Sequence, residues 1–262
     1  MSSRQSARLV TADELCARID GERRLAPAGV VASDGDGTLW LGDVGDALFD
    51  SVADEGGFRE CAREALCAEA RAAGIDASGG ANAVAVALRA AYRAGTYDEG
   101  RYFAMQTWAF AGWAEVELGA KCAAVLDAFG FDAAVRPAMR RLLDWCRACG
   151  VPFFLVSASP EAIVLEAARR LGIDAENVVA MRPAAEAGAL TASLAATPTY
   201  GTGKVERLRE RLGELTLLAA FGDNTWDAAM LSLAALPVMV APKPALRERM
   251  AAHAAVVELG DA

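Results

Sequence analysis

Five short apolar runs are strung along the chain between amphipathic stretches: Val30–Ser33, Val151–Val156, Val178–Met181, Leu215–Phe221 and Pro237–Ala241. Runs of this length without polar alternation suit strands covered on both faces. Strands that alternate with helical segments form a parallel α/β sheet, here a Rossmann-like core. Helices are expected over Pro137–Cys149, from Pro160 to Gly172 with Ser159 as N-cap, over Gly203–Gly213, and after Asp223 with Thr225 as cap. Pro242 and Pro244 stop the last run.

The stretch between the first two runs has a different pattern. From about Val44 to Val135 no strand-like run occurs, and Ala, Arg and Glu recur at helical spacing, as in 58–73 and 81–94. An all-helical insertion forming its own small domain is expected, with residues 45–135 in the insert and 1–44 and 136–262 in the core. Its aromatic residues (Tyr92, Tyr97, Tyr102, Phe103, Trp108, Phe110, Trp113) read as core rather than as a ligand cage.

Bulk properties exclude several classes of function. With 35 acidic and 26 basic residues the net charge is −9, which opposes an extended nucleic-acid surface. The first ten residues lack the apolar centre of a signal peptide, and no apolar run is long enough to span a membrane. A cytoplasmic location is the default expectation. The 6 cysteines then read as reduced thiols. Cys146 and Cys149 form a Cys-x-x-Cys late in a helix, where a redox pair would open one, so they too read as core. His253 is the only histidine, which leaves hydrolytic chemistry mainly to carboxylates, hydroxyls and lysine. Nothing in the sequence sets an oligomeric state.

In parallel sheets, ligands bind beyond the carboxyl ends of the strands. Those ends carry Asp34 and Asp36, Ser157, and Asp223 with Asp227 one helical turn on; Lys204 opens the intervening helix. Asp is disfavoured in strands and close carboxylates repel, so the acids are costly unless a cation such as Mg²⁺ uses them. Taken singly, each residue has a plain alternative: a turn for the Asp34–Gly–Asp36 pair, a loop serine, a solvated lysine, a first-turn acid. Gly201-Thr-Gly-Lys204 is no P-loop, since Pro198 and Val205 stand where glycine and a hydroxyl residue are needed. Together and in this order the residues point to a site for metal and phosphate.

Four blocks, Asp34-Gly-Asp-Gly-Thr-Leu39, Leu155-Val-Ser-Ala-Ser-Pro-Glu161, Lys204 and Gly222-Asp-Asn-Thr-Trp-Asp-Ala-Ala-Met-Leu231, resemble the haloacid dehalogenase superfamily, specifically its phosphoserine-phosphatase-like branch. The resemblance covers the chain beyond roughly residue 25; the insert matches in position and helical character alone. It implies a Mg²⁺-dependent phosphomonoesterase acting on a small phosphorylated metabolite. Asp34 would be the nucleophile, and Asp36 would protonate the leaving alcohol and then activate water. Thr38, Ser157, Ala158 and Lys204 would bind phosphate. Asp34, Asp36 through its carbonyl, and Asp223 would hold Mg²⁺, with Asp227 in support. The insert would act as a cap. Dehalogenase and phosphonatase members lack the second acid, so Asp36 favours a phosphate ester.

Two positions depart from the branch. Trp226 stands where an Asn would contact phosphate, and Asp43 replaces a Glu that meets a substrate amine. Asp43 is a candidate for recognising an amine-bearing ester such as phosphoserine, or else a capping residue of the turn. Arg101 is the candidate substrate contact from the insert. Two other readings compete: a phosphoacceptor signalling module, and a non-catalytic phospholigand-binding protein of the same fold.

Overall fold

The apolar runs assemble side by side into one sheet in which every neighbouring pair is parallel. The computed structural model describes residues 7–213 and 215–260, so the first six residues of the N-terminal reading lie outside it. The elements run β1 (Arg8–Val10), α1 (Ala12–Leu25), β2 (Val30–Ser33), α2 (Val44–Asp54), α3 (Arg63–Ala72), α4 (Ala81–Arg93), α5 (Glu99–Trp108), α6 (Glu115–Phe129) and α7 (Phe131–Ala134). They continue with α8 (Pro137–Cys149), β3 (Phe153–Pro160), α9 (Glu161–Leu171), β4 (Val178–Met181), β5 (Pro183–Glu186), β6 (Ala189–Leu194) and α10 (Thr202–Leu212). The last are β7 (Leu217–Gly222), α11 (Ala228–Leu231), β8 (Leu236–Val240), α12 (Pro244–Met250) and β9 (Val257–Leu259).

The sheet order is β1-β9-β8-β7-β2-β3-β4. All four residues of β2 are buried, as its unbroken apolar pattern requires. Ser33 pairs with Leu155 of β3 on one side and Phe221 of β7 on the other. The chain therefore leaves these three adjacent strands at one level, and the residues after each share one edge of the sheet.

Several boundaries differ from expectation for identifiable reasons. Pro152 has no N–H to give to the ladder, so β3 begins one residue later, while the Pro152 carbonyl still accepts from Val31 N at 2.9 Å. At its other end β3 continues through Pro160, which is itself the N-cap of α9; Ser159 is a strand residue and caps nothing. Asn224, not Thr225, caps the turn after β7, in a reciprocal box with Asp227. The edge strand β1 and its neighbour β9, three residues each, and the antiparallel hairpin β5–β6 were not foreseen. Such short or exposed segments carry too little apolar pattern to be read.

Helices α2 to α7 lie between β2 and β3, and among the described residues this stretch forms no strand. One apolar cluster runs from Val31 and Leu155 in the sheet to Phe49, Leu88 and Tyr102 in the inserted helices. Phe58 links Phe49 and Phe110, with centroids 4.7 and 5.6 Å apart. Each such ring fully buried contributes about 1.5–3 kcal/mol, which holds the inserted helices together, and the Trp40 ring meets Phe131 of the insert at 5.1 Å. The hairpin joins the insert through Gly112 N to Leu190 O (2.8 Å) and Leu190 N to Trp113 O (2.9 Å). All described cysteines are unpaired, and burial pushes the Cys146 thiol up to about 12, far from redox use. No described helix is long and apolar enough to cross a membrane.

Candidate active site

Asp34 leaves β2 at its carboxyl end, its N–H donating to Phe221 O of β7. Thr38 Oγ1 donates to Asp34 Oδ2 at 3.0 Å, and Lys204 Nζ donates to Asp34 Oδ1 at 2.6 Å. Lys204, buried in the first turn of α10, also donates to Asp227 Oδ1 at 2.6 Å. The second Asp227 oxygen accepts from the backbone N–H groups of Asp223 and Asn224 at 3.2 and 3.0 Å. Asp227 is thereby fully committed and acts as a brace for Lys204 and the Gly222 turn. Gly222 is needed there because a Cβ would lie 2.4 Å from that of Asp227.

Asp223 has weaker ties, an ion pair from Lys243 Nζ at 3.4 Å. Carboxylate oxygens of Asp34, Asp223 and Asp227 lie within 4.8 Å of one another, all on buried residues. Burial, then the charge of Asp227, pushes the Asp34 carboxyl well above the usual range, while Lys204 pulls it down. Burial raises Asp223 as well. The neighbouring loop is held by Arg136, whose Nη2 donates to Gly37 O at 3.0 Å. Gly37 has φ +80°, and a Cβ there would meet Asp223 Oδ2 at 2.7 Å, so only glycine lets this loop approach the acid.

Asp36, which lines the same cavity as Asp34, is held by a different set of donors. Oδ1 accepts from Trp40 Nε1 (2.8 Å) and Val44 N (2.7 Å), and Oδ2 from Ser159 Oγ (2.7 Å). Burial raises its carboxyl, and these three donors offset part of the rise. Ser157, 1% exposed, stands beside it, its Oγ accepting from Ser159 N at 3.0 Å.

These groups open into a cavity of about 120 Å³ lined by Asp34, Asp36, Ser157, Ala158, Lys204 and Asp223. Asp43 also lines it and, at the same time, caps α2 by accepting from Asp46 N at 2.7 Å. Thr38 does not line it; it is fully buried behind Asp34. Arg101 is not brought to the cavity either, because Glu69 takes its Nε at 2.7 Å and Tyr97 takes its face. Two of the aromatic residues expected in the core, Tyr92 and Phe103, pack against it and also line the cavity, together with Glu99, Tyr200 and Trp226. A larger cavity of about 640 Å³ lies at the sheet edge by Leu9, Met239 and Met250, away from the acids.

Sequence reading missed Ser159, Trp40, Arg136 and Lys243. Ser159 alone had a signal: in an extended strand residues two apart share a face, so Ser157 and Ser159 point together. The others reach the site by tertiary packing.

A model of the family of haloacid dehalogenase-like hydrolases matches residues 31–232, which contain every acid of the cluster. The chain belongs to this family. Protein CicA of Caulobacter vibrioides is 35% identical over 114 residues, covering 41% of this chain and 51% of that protein. The match thus spans about half the length of the curated relative. A Bordetella pertussis Tohama I protein of unknown function superposes with a TM-score of 0.68 at 22% identity, over 87% of this chain and 97% of the other. A substrate-bound phosphoserine phosphatase superposes at 0.52 and 15% identity, over 87% and 92%. These superpositions show that the chain shares the α/β fold of both proteins.

Proposed function

We propose that the chain is a Mg²⁺-dependent phosphomonoesterase that hydrolyses a small phosphorylated metabolite through an aspartyl-phosphate. The observation that carries this reading is the unequal treatment of two acids one residue apart. Asp34 is aligned by Lys204 and Thr38 within the acid cluster, whereas Asp36, lining the same cavity, meets no lysine and is held by Trp40, Val44 and Ser159.

The acids fit a divalent cation: three buried carboxylates lie together, the buried Lys204 pairs with two of them and the exposed Lys243 only loosely with the third, and Mg²⁺ prefers oxygen ligands. Asp34, Asp223 and the Asp36 carbonyl would hold it, and its charge would neutralise phosphoryl oxygens. In the first step an Asp34 oxygen attacks phosphorus, the ester P–O bond breaks, and the leaving alkoxide takes a proton from Asp36. In the second, water attacks the same phosphorus, Asp36 takes its proton, and the acyl phosphate releases phosphate and free Asp34. Ser157, the backbone at Ala158, and Lys204 orient the phosphoryl oxygens, and Thr38 positions Asp34. Residues 45–135 serve as the cap, 1–44 and 136–262 as the catalytic core, and the β5–β6 hairpin travels with the cap. Asp43 supports an amine-bearing ester as substrate, phosphoserine or another.

Phosphate release from a panel of esters, with and without Mg²⁺, tests this. The Asp34→Asn variant should lose roughly 10³-fold or more of wild-type turnover. Equal activity in the two proteins would refute the nucleophile. Stoichiometric labelling of Asp34 without turnover would instead support the phosphoacceptor module, and phosphate binding without either would support the non-catalytic reading.

A further inference from the structure

The cavity combines two chemically different sets of groups. Its lining includes Lys204, Lys243 and the acid cluster on the one hand, and four aromatic rings with two further carboxylates, Glu99 and Asp43, on the other. The rings form a continuous series from insert to core. Tyr92 and Phe103 have centroids 6.1 Å apart, Phe103 and Tyr200 5.7 Å, and Tyr200 and Trp226 4.7 Å. Glu99 is fixed in this wall by Trp226 Nε1, which donates to its Oε2 at 2.9 Å. Asp43 completes the wall, its carboxyl raised by burial and by the charges of Asp36 and Asp46.

The guanidinium groups nearby are all engaged elsewhere. Arg89 is bound by Asp46, Asp50 and Tyr102, Arg93 by Asp50, and Arg101 by Glu69. A leaving group with a carboxylate would thus face two acids and find no free guanidinium, an arrangement that disfavours it. Aromatic faces attract cations, alkylated ammonium groups above all, and two carboxylates add to that attraction. The volume of about 120 Å³ admits only a small group beside the phosphate.

We propose that Tyr92, Phe103, Tyr200 and Trp226, with Glu99 and Asp43, form a receptor for an ammonium group, so that the substrate is the phosphate ester of a small amino alcohol without a carboxylate. This rests on the phosphomonoesterase reading and narrows it away from phosphoserine. The reaction upstream is then a phosphorylation of such an alcohol or a cleavage that liberates its phosphate ester.

The test compares phosphocholine, phosphoethanolamine, phosphoserine and 3,3-dimethylbutyl phosphate, the last being the uncharged counterpart of phosphocholine. With the full chain and Mg²⁺, kcat/KM for the better of the two carboxylate-free cations should exceed that for the neutral ester and for phosphoserine by roughly tenfold to hundredfold. Trp226→Leu and Glu99→Gln should cut that preference severalfold, chiefly through KM, and Trp226→Phe should keep most of it. Equal rates on the charged and neutral esters, or a preference for phosphoserine, would overturn the proposal while leaving the phosphatase reading intact. If no ester is turned over, calorimetric titration of phosphocholine against the neutral ester decides. A preserved preference in binding supports the receptor although the phosphatase reading has failed, and equal binding overturns it.

Discussion

The core and the insert each hold a cluster in which one cation meets two acids, and only the core cluster is chemically poised. In the core Lys204 bridges Asp34 and Asp227, whose side chains are 8% and 1% exposed. In the insert Arg89 bridges Asp46 and Asp50, whose side chains are 29% and 40% exposed. Water relieves the second pair of acids far more than the first. Arg89 also offers a planar fork that meets both partners and Tyr102, whereas the Lys204 ammonium is a point charge facing more negative charge than it neutralises. Similar connectivity therefore yields a structural tie in the insert and a cation-hungry pocket in the core. The burial of the acids, more than their number, separates the two.

Breaking each cluster at its cation gives the sharpest contrast. Lys204→Met should cost about 3–5 kcal/mol in urea unfolding, because it strands buried carboxylates. Added Mg²⁺ should restore part of that loss. In the wild type, Mg²⁺ at a hundredfold over its dissociation constant should itself add about 2.7 kcal/mol, read as a rise in melting temperature. A melting temperature indifferent to Mg²⁺ would remove the core cluster from the class of metal sites. Arg89→Met should cost about 1–3 kcal/mol, with no recovery on adding Mg²⁺. A loss equal to that of Lys204→Met would show that acid burial is not what distinguishes the clusters.

The smallest effect lies outside both. Glu166, held by Arg169 and Arg170, has its carboxyl lowered to about 2 from 4.5. A lowered folded-state value means stability that is present above pH 4.5 and lost as pH falls towards 2. Both arginines and solvent screen the charge, so Glu166→Gln should cost under about 1 kcal/mol at pH 7. The wild-type and variant stability curves should converge between pH 4.5 and 2, and parallel curves would disprove the pairing.

The elements legible in the sequence were those with a strong local pattern. Val30–Ser33, Val178–Met181 and Pro137–Cys149 have the expected bounds because apolar periodicity, glycine and proline define them locally. β1 and β9 were missed because strands of three residues leave no periodic trace. Ser159 was misread because Ser-Pro before an apolar helix is a good cap locally, yet pairing with β4 keeps Pro160 in the strand. Arg101 was misplaced because helical spacing does not say which neighbour claims a long side chain; Glu69 does.

What the sequence by itself determined was a parallel core with a helical insert, and the acids, serine and lysine at the strand ends. Strand and helix patterns are local, and the ends of parallel strands necessarily share an edge. What only the tertiary structure decided was how those residues divide their work and what surrounds them. Asp34 and Asp36 differ by the donors each meets, and these come from α10, α2 and β3. The aromatic wall joins Tyr92 and Phe103 to Tyr200 and Trp226 across more than a hundred residues of chain, a proximity that packing alone creates.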